Sequence, residues 1–256
     1  DFAKSFGRKS GGRRVSPLSI TVGILVAAAI ALVSLSGFYA DWLWYKSVDY
    51  TSVWSTTLFT KVYLFIGFGL ITSLFVLLNV YLAFKRRPVY VSMAVENDNL
   101  ERYRAQLEPL RKVAFAGVGL AVFYFAGTAG TSLWRTWLLF KNSTDFGVKD
   151  VQFNLDISFY AFRLPFWQSL ISWGFSALIL ALLAAGAVHY LYGGLRPQMR
   201  QDRTTPFARA QLSVLLGLFV LLKGVAYWFD RYALSLKENK LINPTSFIFI
   251  FLLSLF

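Results

Sequence analysis

Residues 17–39 read PLSITVGILVAAAIALVSLSGFY, an apolar run without a charge. At about 1.5 Å per helical residue it is long enough to cross a hydrocarbon layer of about 30 Å. The preceding segment, residues 1–16, is polar and basic, with Lys4, Arg8, Lys9, Arg13 and Arg14 and the flexible pair Gly11-Gly12. It reads as a disordered cytoplasmic tail. A cleaved signal peptide is the competing reading of a basic segment before an apolar one. The apolar run is too long for a signal h-region, and cleavage after Ala40 would leave bulky Phe38 where a small residue belongs. The run is therefore read as an uncleaved span.

Outward from it the same pattern recurs. Apolar runs over 62–84, 113–134, 166–192 and 211–229 give four further spans, and the final run, 246–256, is too short to cross and reads as a partial sixth. The expected fold class is all-α: a polytopic transmembrane helical bundle over residues 17–234, with the N-terminus cytoplasmic. Composition supports it, since only 15% of residues are charged and 56% are hydrophobic, whereas a soluble domain carries about a quarter charged residues. Asp1 in place of Met, and an end at Phe256 inside an apolar run, read as cuts, and residues 235–256 read as an atypical or truncated tail.

The formal net charge of +13 could suggest nucleic acid, but the basic residues sit in short clusters at the ends of the apolar runs. That is where topology signals are expected, so nucleic acid is set aside as a partner. With the N-terminus inside, the cytoplasmic segments hold 16 Lys and Arg, including Lys85, Arg86, Arg87, Arg111, Lys112, Arg196 and Arg209. The opposite face holds nine, among them Lys46, Lys61, Arg135 and Arg163. The positive-inside rule then gives a multi-pass plasma-membrane protein with the bilayer as its first partner. Trp42, Trp44, Tyr45, Tyr50 and Trp54 form a headgroup-level belt. Leu100, Tyr103, Leu107 and Leu110 stripe a short cytoplasmic amphipathic helix over 98–112. Gly117, Gly119, Gly127 and Gly130 in the third span, and Ala177, Ala181, Ala184, Ala185 and Gly186 in the fourth, suit close helix packing, or reflect the ordinary small-residue content of membrane helices.

Catalytic chemistry lacks its parts. There is no cysteine and one histidine, which removes thiolate chemistry, HExxH zinc sites and His clusters, and no phosphate-binding glycine loop follows a strand. No enzyme activity, metal or cofactor is expected. His189, near the end of the fourth span, reads as an interfacial residue with a structural partner, against a proton relay. Lys223 is the one charge well inside a span. Either it snorkels towards the interface marked by Tyr227, Trp228 and Asp230, or it is a buried ion pair or substrate contact. Asn79 suits a bond across helices. The extracytoplasmic segment 135–165 is rich in aromatics and carries Asp145, Asp150 and Asp156. It reads as an ordered cover whose acids are solvated; a bound cation is the alternative, without the EF-hand pattern.

The run FGVKDVQFNLDISFYAFRLPF at 146–166 resembles a signature of the bacterial uncharacterised protein family 0182. DWLWYKSVDYTSVW at 41–54, NVYLAFKRRP at 79–88, HYLYGGLR at 189–196 and LLKGVAYWFDRYAL at 221–234 resemble it too. The likeness covers roughly 41–234, and SLKENKLINPTSFIFIFLLSLF at 235–256 departs from it. The resemblance implies a multi-pass membrane protein whose relatives continue into further spans and a large extracytoplasmic part, with no catalytic residues to carry over. The expected function is a membrane-embedded scaffold or anchor for an extracytoplasmic domain or partner. A transporter or channel using Lys223 and the outer acids is the alternative, and a lipid-modifying enzyme has least support. Few intramembrane polar groups favour the scaffold.

Overall fold

The computed structural model describes residues 17–88, 98–197 and 203–234. The basic tail, the partial sixth span and the tail from 235 lie outside them. The described residues are all-α, with no strand among them and two isolated antiparallel bridges, Lys149 with Asp156 and Leu195 with Thr204. In chain order the helices are α1 (Pro17–Ser47), α2 (Thr51–Lys85), α3 (Asp98–Thr131), α4 (Trp134–Lys141), α5 (Leu164–Leu191) and α6 (Pro206–Leu234). A π-helical turn, Phe159–Arg163, leads directly into α5. Five helical stretches are long and apolar enough to span a membrane: Thr21–Ser47, Thr51–Lys85, Pro109–Thr131, Phe159–Leu191 and Pro206–Leu234.

The chain divides into two compact units, residues 1–58 and 59–256. In the first, α1 carries the apolar run on through the aromatic belt to Ser47. Tyr50 N–H donates to Tyr45 O at 2.9 Å, and Asp49 takes a positive φ of 61° in the tight turn before α2. Lys46 lies 4.9 Å over the Trp42 ring, and Phe38 packs on Trp54 with centroids 5.0 Å apart.

In the second unit α2 is the common partner of α3, α5 and α6. Its core contribution, Val76 and Ala83, joins Ala181 and Ala185 of α5 and Leu215 of α6. Close approach to α3 rests on small residues: a Cβ at Gly127 would meet Phe65 O at 2.9 Å and the Phe65 ring at 2.8 Å. Gly119 and Gly130 are equally tight against Leu77 and Phe68, whereas Gly117 and Gly186 face open space. On α5, Ala177, Ala181 and Ala185 are buried at four-residue spacing, one ridge of the helix.

Two expectations are corrected. The amphipathic segment 98–112 is not a separate helix, because α3 runs unbroken from Asp98 through Pro109 to Thr131. Proline removes one backbone donor and strains one turn, which a long helix packed elsewhere tolerates. Segment 135–165 is also more helical than read. Its apolar start forms α4, whose Phe140 stacks on Phe166 of α5 with centroids 4.3 Å apart, and its end is the π-helical turn.

Candidate functional site

His189 is the next residue on the Ala177–Ala181–Ala185 ridge, so helix geometry turns it inward, and it is only 2% exposed. Its Nε2 lies 3.0 Å from Gln211 Oε1 of α6. Gln211 Nε2 donates to Asn79 O at 2.9 Å and to Asn79 Oδ1 at 3.2 Å, and Asn79 Nδ2 donates to Phe75 O at 2.9 Å. With both amide hydrogens of Gln211 committed to Asn79, its oxygen must accept, which assigns the Nε2 proton to His189. The network links α2, α5 and α6 through a chain of side-chain hydrogen bonds. Gly194, just past α5, makes room for it, since a Cβ there would meet His189 Nδ1 at 2.8 Å.

Two more bonds tie α2 to its neighbours. Trp173 Nε1 of α5 donates to Thr72 Oγ1 at 2.9 Å, while Thr72 donates to Phe68 O at 2.8 Å. Ser73 Oγ donates to Gly119 O of α3 at 2.9 Å. Among the described residues the buried polar side chains are Thr72, Ser73, Asn79, Ser158 and His189, and each is bonded within the protein.

The three acids of segment 135–165 do not converge. Asp145 approaches Arg163 at 3.8 Å and accepts from Ser158 Oγ at 3.3 Å. Asp150 Oδ2 accepts from Phe153 N–H at 2.9 Å and from Tyr160 OH at 3.1 Å. Asp156 sits at the start of the helical run and accepts backbone N–H groups from Phe146 at 3.0 Å, Gly147 at 2.9 Å and Ser158 at 2.8 Å. Carboxylates favour helix N-termini for this reason. The Ser158 hydroxyl beside it and these three N–H donors hold its carboxyl at about 2, against an ordinary 3.8. That hydroxyl has one proton and two carboxylates in reach; its bond goes to Asp145, so the backbone donors are the firmer cause for Asp156. No group of three His, Cys, Asp or Glu is placed to hold a metal among the described residues.

Lys223 is exposed, with its ammonium 4.5 Å over the Tyr227 ring one turn further along α6. Asp230 is exposed as well, and no ion pair joins it or Asp156 to Lys223 among the described residues. The structure thus brings together His189, Gln211 and Asn79 but not Lys223 with any acid. Arg231, which the sequence did not single out, lies with its guanidinium 3.5 Å over Trp228 and 5.7 Å from Phe153, and its buried Nε has no hydrogen-bond partner. Phe153 also packs on Tyr232 at 4.9 Å, so the loop closes over the end of α6. An aromatic-flanked arginine at a span end was the available signal.

These features fall inside a shared sequence pattern: the family model described as Uncharacterised protein family (UPF0182) matches residues 18–250. The chain belongs to this family. The match begins before residue 41 and takes in 235–250, which the sequence reading had set apart as a departure from the family. A UPF0182 protein of Streptomyces coelicolor is 48% identical over 233 residues, covering 91% of this chain and 23% of that protein. One from Nocardioides is 43% identical over 93% of the chain and 24% of its own length. One from Salinispora tropica is 46% identical over 86% and 22%. The UPF0182 chain thus spans about a quarter of the length of these curated relatives. No solved structure matches it.

Proposed function

We propose that the chain is a plasma-membrane helical scaffold, N-terminus inside, that anchors an extracytoplasmic domain or partner and has no catalytic activity of its own. One observation carries the reading: the buried polar residues among those described, Thr72, Ser73, Asn79, Ser158 and His189, spend their side chains in bonds within the protein, most of them between helices or across the loop. A solute path needs polar groups left facing a cavity. The segment 142–158 is exposed over most of its length but pinned by its own carboxylates and packed on α6, which suits a platform for a partner. An exported alkaline phosphatase fused after Leu234 should resist carbonate extraction and be active outside the cell. Release by carbonate, or activity only inside, would overturn the anchor. Solute flux in proteoliposomes that fails in Gln211→Leu would move the assignment to transport.

A further inference from the structure

We draw no further inference here: the strongest candidate, the apolar groove of about 440 Å³ between α2, α5 and α6 that Ile71, Phe75, Trp173, Ala177, Leu221 and Val225 line, is an unpartnered face, and nothing in the structure shows what covers it.

Discussion

Helices α1 and α2 have nearly the same mean hydropathy in their spanning windows, 2.2 and 2.1, yet none of the first window is buried and 33% of the second is. Hydropathy therefore says which segments enter a bilayer and leaves open which of them form the core. The deciding residues are few. Along α2 Gly69, Thr72, Ser73 and Asn79 all meet another helix. On α1, Gly23 and Gly37 face open space, and Ser36 Oγ donates to its own helix at Val33 O, 2.9 Å away. Without a hydrophobic force between helices in lipid, small residues and polar bonds select the pairs.

The largest expected effect is a side chain forced into the α2–α3 seam. Gly127→Leu drives a branched side chain into Phe65 and its backbone oxygen and should cost about 3 kcal/mol in reversible unfolding in detergent. Gly23→Leu on α1 meets nothing within 4 Å and should change stability by less than about 0.5 kcal/mol. Equal losses at the two sites would show that the Phe65 contact does not set the cost at Gly127.

The polar network comes next. Gln211→Leu strands the His189 Nε2 proton and an Asn79 carbonyl, and should cost about 1.5 kcal/mol, near the upper end for polar bonds between membrane helices. Adding Asn79→Leu to that variant should cost less than Asn79→Leu alone, because the bond it would break is already gone. Ser36→Ala on α1 should be nearly silent in the same melt. Strict additivity of the first two changes would mean that Gln211 and Asn79 are not coupled.

The residues of this network show what the sequence could and could not disclose. The spans were legible because long uncharged runs have one common fate in a chain with so little charge. The four-residue ridge Ala177–Ala181–Ala185 was half legible, and extending it one step reaches His189 and explains its burial. The partners of α2 were not legible. In a membrane helix both the lipid face and the packed face are apolar, so the periodicity that marks a core stripe in water is nearly erased. Trp173 finds Thr72 across 101 residues, and Gln211 finds Asn79 across 132. No local pattern encodes such a pair. Lys223 was legible for the opposite reason: a charge inside an apolar run is conspicuous in sequence, and a four-carbon stem that can reach along the helix was read there before any partner.

A smaller, pH-dependent effect belongs to the loop 142–158, which is held by carboxylate acceptors instead of close packing. Asp156 has its carboxyl lowered to about 2 from 3.8 in the folded chain. A depressed value means that its bonds stabilise the loop fully above about pH 4 and are lost as the pH falls through 2. Hydrogen exchange at Phe146, Gly147 and Ser158, corrected for intrinsic rates, should accelerate over that window. Asp156→Asn should exchange faster at neutral pH and lose the acid step. Protection unchanged at pH 2 would show that packing of Phe153 on Tyr232 holds the loop without the charge.

A small effect is expected at Lys223 as well. Its stem runs along α6 and its ammonium rests over the Tyr227 ring, one turn nearer the end marked by Trp228, Asp230 and Arg231. We expect a lysine in that posture to reach the interface, where water and headgroups compensate its charge. Lys223→Met keeps most of the stem's apolar contact and gives up one cation–ring contact. An exposed contact of that kind is worth about 0.5–1 kcal/mol, so the melt in detergent should move by less than about 1 kcal/mol. A buried ion pair would behave differently, since removing one member leaves the other charged in a poor medium at a cost of about 3–5 kcal/mol. The two cases separate by rescue: only a pair regains stability when Asp230→Asn is added to Lys223→Met. A loss above 3 kcal/mol that Asp230→Asn restores would place Lys223 among the packed polar groups of α2, α5 and α6.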